Sequence, residues 1–405
     1  MSKMAFARMI TLAALCLTTH GVANVTMPPG WRARSKPPTL GDKHEALVWA
    51  MDSVAQRYWS EGRYEEAESA YLKTLETSRT LFGEKHRTST AVMANLAWLY
   101  YGRGRWGEAE SLLAKVVELR REMEPKDDPN TLPYKAFLGM LYTEQARYDK
   151  AEPLLTKVLQ TSRQVLGEEN EATLSSMNDL AALYTAQSRY KEAEELLAKA
   201  LETGGRVLGE DHSIVLGSVN GLAVLHRDQA RYNEAEPLFT KALQGRRSKL
   251  GQEHPDTLQS MNDLGALYAR QDRYADAEPL LTKALQSRRT KLGDEHPDTL
   301  ESMRELGLLC TKQSRYAEAE PLLVQAFEGR LKKLGMEHPD TLGSLRCVIE
   351  LYEAWGKTEQ ANTTARLIHK SSGIQDLSLR ISIRSFLSLR NVVFQWDRRA
   401  CRFLC

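Results

Sequence analysis

The 42 residues HPDTLQSMNDLGALYARQDRYADAEPLLTKALQSRRTKLGDE, from His254 to Glu295, contain two amphipathic helices and are followed at His296 by a near copy of themselves. Between Thr257 and Gln271, the apolar positions Leu258, Met261, Leu264, Gly265, Leu267 and Tyr268 recur at three-and-four spacing. That period places them on one stripe of a first helix, A. Arg273 and its neighbours form a short turn, and Ala277, Leu280, Leu281, Ala284 and Leu285 mark a second helix, B. Helix B is predicted to run to about Leu292 and to stop at a left-handed Gly293. Asp256 with Gln259, and Asp298 with Glu301, have the spacing of a capping box at the start of helix A.

Steps of 42 residues from Tyr274 meet Tyr64, Trp106, Tyr148, Tyr190, Tyr232 and Tyr316, and each of these aromatics has an alanine three residues on. Ala361 extends the alanine series to an eighth copy, and a small residue stands at the place of Gly265 in seven of the eight, Ile349 being the exception. Small side chains there allow two helix axes to approach to about 8–10 Å. One hairpin of this kind cannot bury both its faces, so each must stack on the next. The expected fold is all-α, a right-handed α-solenoid of about eight helix-turn-helix units over residues 44–370, its inner surface lined mostly by A helices. The polar last helix, with Glu359, Gln360, Asn362, Thr363 and Thr364, suits the end of such a stack.

The quoted unit resembles the long tetratricopeptide repeats of kinesin light chains and of many bacterial proteins. Leu264, Gly265, Tyr268, Tyr274, Ala277 and Ala284 stand where that pattern requires them, and the likeness covers residues 44 to about 370. It implies a non-catalytic scaffold that binds an extended segment of a protein or peptide partner in its concave groove. The competing expectation is an architectural subunit that self-associates and leaves the groove unused. Oligomeric state is not readable from the chain.

Composition narrows the field. The 405 residues are 42% hydrophobic and 27% charged with a net charge of +2, which supplies no general field for nucleic acid. Five cysteines are too few for a disulfide framework. Residues 1–23 place Lys3 and Arg8 before the apolar run Met9 to Leu17 and end in Gly21-Val22-Ala23, the pattern of a signal peptide. Export is therefore expected, and cytoplasmic residence if the segment is retained. No stable membrane span is expected. Residues 24–43, with Pro28, Pro29, Pro37 and Pro38, read as a linker. Residues 371–405 form a basic tail in which Leu377, Leu379, Ile381 and Ile383 alternate with polar residues at a strand period.

No catalytic motif, cofactor-binding loop or pair of metal-ligating histidines stands in the sequence. His212, His254, His296 and His338 precede A helices one per hairpin, too far apart to share an ion, and a structural role in loop packing and capping is expected of them. Cys310 replaces a core tyrosine and reads as a buried thiol. The B-helix glutamates from Glu68 to Glu320 are expected on a solvated face, and Arg246, Arg288 and Arg330 are expected to favour helix C-terminal dipoles. The candidate peptide-binding residues are Asn178, Asn220 and Asn262, two positions before the repeated leucine, with Arg304 and Arg346 at the same place in the next two units. Mid-helix asparagine lowers helix propensity. The resemblance implies that these amides hydrogen-bond an extended peptide, whereas hydrogen bonds between neighbouring A helices would account for them equally. The two arginines would suit an acidic partner.

Overall fold

The computed structural model describes residues 43–61, 63–123 and 128–371. The expected signal peptide, almost all of the linker and the basic tail lie outside them. Helices α1 (Lys43–Ser60), α2 (Tyr64–Phe82), α3 (Arg87–Gly102), α4 (Trp106–Met123), α5 (Leu132–Glu144), α6 (Tyr148–Leu166), α7 (Glu171–Ala186) and α8 (Tyr190–Leu208) form four hairpins. Four more follow: α9 (Ser213–Asp228), α10 (Tyr232–Leu250), α11 (Pro255–Arg270), α12 (Tyr274–Leu292), α13 (Pro297–Lys312), α14 (Tyr316–Leu334), α15 (Pro339–Ala354) and α16 (Thr358–Ser371). Odd-numbered helices are A and even-numbered ones B. No strand occurs among the described residues. The chain divides into two compact units, one ending at Leu309 and one beginning at Cys310.

Within the first unit each A helix packs on its own B helix, on the preceding B helix and on the next A helix. Approach of A to A sets the curvature and turns the A helices inward. Ala67, Ala109, Ala151, Ala193, Ala235 and Ala277 are fully buried where the two helices of a hairpin cross. A Cβ on Gly265 would lie 2.8 Å from Leu281 Cγ, which is why this register holds small residues throughout the first unit. In the second unit α14 packs on α15 and α15 on α16.

Three local expectations are corrected. Helix α11 starts with His254 as its cap: Nδ1 accepts the Asp256 N–H at 3.2 Å, and Pro255 takes the first helical position. Proline there gives up an N–H that has no helical partner. His86, His212 and His338 cap in the same way, while Asp256 contributes only charge to the first turn. Gly293 has φ 83° and ψ 169°, which lies beyond the left-handed helical region in a zone that is essentially glycine-only. The third correction concerns the glutamates. Glu68, Glu110, Glu152, Glu194 and Glu236 accept hydrogen bonds from Arg105, Arg147, Arg189, Arg231 and Arg273 of the following hairpin.

The A-to-B turn produces that ladder. Asp272 takes φ 59°, and the Arg273 N–H returns to the Tyr268 carbonyl at 2.9 Å. This folds the Arg273 guanidinium over the Tyr268 ring, 4.1 Å from its centroid, with Glu236 of the preceding B helix at 2.8 Å. Arg105 over Tyr100, Arg147 over Tyr142 and Arg189 over Tyr184 repeat the arrangement.

Thr257, Thr299 and Thr341 occupy one register and are fully buried, and their hydroxyls have no hydrogen-bond partner. Val215 stands at the same register in the fifth hairpin, also fully buried. A buried hydroxyl without a partner costs about 1–3 kcal/mol. Thr257→Val and Thr299→Val are therefore each expected to raise the unfolding free energy by about 1 kcal/mol, read from urea midpoints. Unchanged or lower midpoints would show that these hydroxyls are satisfied in solution.

Candidate functional site: the inner face of the A helices

The inner face is the surface on which residues far apart in the chain meet. In the first three hairpins it is aromatic. Trp98 on α3 stacks on Tyr101 at 5.3 Å, and both meet Phe137 of α5 edge-on, at 4.6 and 5.4 Å. Trp59 of α1 reaches Trp98 edge-on at 6.5 Å. In the next hairpins the same face turns polar: the register of Phe137 holds Asp179 on α7, Gly221 on α9 and Asp263 on α11.

Tyr101 shows how far the helices close around this face. Burial raises its phenol well above the ordinary range, and the carboxylates of Glu144, Asp298, Asp179 and Asp256 push it further. These groups come from α5, α13, α7 and α11, so α3 looks across the interior at helices up to five hairpins further along the chain. His296 Nε2 meets the Gly102 carbonyl on the same side. Tyr101 and Asp179 nevertheless keep part of their surface open to solvent. They are not sealed in a core.

The charges on this face are mostly spent. Asp263 lies 3.6 Å from Arg227 and accepts from Gln259 and Asn220, and Arg227 also pairs with Asp228 at 3.0 Å. Asp52 is pushed up to about 6 by burial, against the hydrogen bonds it accepts from Asn95 and Gln56. Asp179 is pushed up to about 7 by burial alone. Arg270 at the end of α11 has a buried Nη1 without a partner.

The five residues singled out from the sequence all lie on A helices, but they do not form one cluster. Asn178 donates to the Ile214 carbonyl at 3.0 Å and accepts from Ser218 at 2.8 Å. Asn220 donates to Asp263 and accepts from Ser260, and Asn262, 2% exposed, accepts from Ser302 at 2.9 Å. Each amide is engaged by the next A helix, so a peptide reaching it must compete with those bonds. Arg304 is tied to Glu301 at 2.6 Å and to Glu305 at 2.5 Å, and Arg346 is exposed on α15 in the second unit. Sequence reasoning missed Tyr101, Trp98 and Asp179. The available signal was the register one residue after the asparagines, where Phe137 gives way to carboxylates.

Stacked helical hairpins whose inner face passes from aromatic to polar define a repeat scaffold. The chain belongs to the tetratricopeptide repeat family, whose pattern matches residues 54–122, 133–203, 215–290 and 262–332, more than half of its length. In fold it is similar to the apo form of the quorum sensor NprR from B. thuringiensis, at 13% identity over 81% of this chain and 88% of that one, with a TM-score of 0.55. It is likewise similar to a Rap protein complexed with Competence and Sporulation Factor, at 12% identity over 84% of this chain and 99% of that one, TM-score 0.56. A kinesin-light-chain-like protein of nearly identical TPR-like repeats from Podosopora anserina is 26% identical over 51% of this chain and 98% of that one, TM-score 0.40. No curated protein matches the sequence. No described helix is long and apolar enough to cross a membrane.

Proposed function

We propose that the chain is a non-catalytic scaffold whose inner A-helix face receives an extended segment of another protein. The observation that carries this reading is the aromatic part of the inner A-helix face, where Trp98 stacks on Tyr101, both meet Phe137 of the next hairpin, and Trp98 and Tyr101 keep part of their surface exposed. Partly exposed tryptophan and tyrosine rings offer apolar area with a polar edge, the combination enriched at interfaces. NprR has also been solved in complex with its cognate peptide NprX, in a fold this chain shares at a TM-score of 0.57, which supports the reading at the level of fold only. The asparagines Asn178, Asn220 and Asn262 serve it by fixing the spacing of the A helices, and they reach a peptide only by exchanging partners. An acidic partner is less favoured than the sequence suggested, because Arg304 is already neutralised.

Hydrogen exchange on the full chain, with and without a partner recovered by cross-linking, tests the proposal. Protection concentrated on α3, α7, α9 and α11 is the expected result. A footprint on the B helices or on the terminal hairpins would favour the architectural subunit instead.

A further inference from the structure

We propose that residues 24–42 fold back along α1 and cover its apolar flank, taking the place of a preceding B helix as a non-helical cap on the N-terminal end of the stack. The proposal is independent of what the inner face receives.

The first hairpin carries a core register without its core. Leu180, Leu222 and Leu264, one per A helix, share hydrophobic clusters with the preceding B helix: with Leu155 and Leu159, with Leu197, and with Phe239 and Leu243. Val54 stands at this register on α1 and is 40% exposed, against 1–7% for Leu96, Leu138, Leu180, Leu222 and Leu264. Met51 is likewise only half-buried where Met93, Met177 and Met261 of later A helices are buried. The arginine ladder breaks at the same place. Arg63 lies over the Tyr58 ring at 4.3 Å, as its counterparts do, but its carboxylates, Glu61 and Glu66, belong to its own hairpin.

Exposed apolar area at the end of a stacked array invites association, and terminal repeats avoid it with a polar outer face. The last helix does so, since α16 exposes Glu359, Gln360, Asn362 and Thr363. That polar surface also makes a second copy, added end to end, a poor cover for Val54.

The chain itself leads to the occupant. Leu40-Gly41-Asp42, ahead of His44, repeats Leu292-Gly293-Asp294, ahead of His296, the connection that joins a B helix to the next A helix. The register therefore assigns the place of a B helix to the residues before Gly41. The proline pairs Pro28-Pro29 and Pro37-Pro38 exclude a continuous helix there and favour an extended backbone that loses less entropy on ordering. Residues 31–42 reach up to about 37 Å in such a backbone, whereas Val54 lies about 16 Å along α1 from Lys43. Val25, Met27, Trp31 and Leu40 supply the apolar surface.

The test places the photo-crosslinking residue benzoylphenylalanine in the full chain in place of Val54, with a second chain carrying it in place of Val165, on an exposed B-helix face, as the control. After irradiation the expected product runs as a monomer, and peptide mass spectrometry finds its cross-link within residues 24–42. A covalent dimer, a cross-link to residues 372–405, or a yield no higher than the control's would overturn the proposal. A second measurement leaves Val54 in place. Trp31→Ser is expected to lower the melting temperature by about 2 °C or more, and an unchanged melting temperature would overturn the proposal as well.

Discussion

Arg288→Ala is expected to lower the unfolding free energy by about 3 kcal/mol, the loss coming from packing and hydrogen bonding together. The side chain is 1% exposed and bridges three parts of the stack. It donates to the Asp298 carbonyl at 3.0 Å, to Ser302 Oγ at 2.7 Å and to Gln259 Oε1 at 2.6 Å, so helix α12 is tied to its own A helix and to the next one. The expectation that this arginine answers a helix dipole is thereby replaced by a structural role, shared by Arg246 with Ser260 and by Arg330 with Ser344. Arg288→Met separates the two contributions, since methionine keeps most of the buried stem and loses only the donors. A cost of about 1 kcal/mol for methionine against about 3 for alanine would place most of the effect in packing. Equal costs, from urea unfolding of both variants, would place it in the hydrogen bonds.

Asp179→Asn is expected to act in the opposite direction. Burial holds the Asp179 carboxyl at about 7, against an ordinary value of 3.8, so the folded chain binds this proton more tightly than the unfolded chain does. The stabilisation linked to that proton is complete below about pH 3.8 and disappears as pH rises through about 7. A fully buried carboxyl displaced that far would contribute about 4 kcal/mol, and partial solvent access reduces the expected effect to about 2 kcal/mol. Asparagine keeps the shape and carries no charge. The variant should therefore exceed the parent by about 2 kcal/mol at pH 8, with the gap closing near pH 4. Burial depresses His254 and His226, but they are common to the two proteins and cancel in the difference. A gap that does not change with pH would exclude the carboxylate as its source. A group that costs stability at neutral pH and keeps part of its surface exposed fits a functional position better than a structural one.

The hairpin was legible because its packing is local and repeated. Gly265 against Leu281, or Ala277 at the helix crossing, poses the same steric demand every 42 residues, and each copy restates the answer. The caps were open to two readings, an aspartate capping box and histidines that pack and cap the loop, and Pro255 decides for the second. Pro255 takes the first helical position, leaving His254 as the residue before it. The asparagines attracted attention for a sound reason, their poor helix propensity, and their partners prove to be serines 40 residues on, such as Ser218 for Asn178. The approach of distant hairpins was hidden for a different reason. His296 meets the Gly102 carbonyl five hairpins back, and such an approach accumulates from small rotations between hairpins that a periodic pattern does not record.

The arginine-glutamate ladder gives the stack a direction. Every guanidinium from Arg105 to Arg273 reaches back to a glutamate on the preceding B helix. A chain emerging from the ribosome therefore completes each acceptor before the donor that will use it is made, and each new hairpin can latch onto a finished one as it forms. Growth from the other end would offer donors with nothing yet to hold. Truncation inherits the same asymmetry: cutting hairpins from the N-terminal side strands a cation lying against a tyrosine, whereas cutting from the C-terminal side leaves a carboxylate that water can solvate.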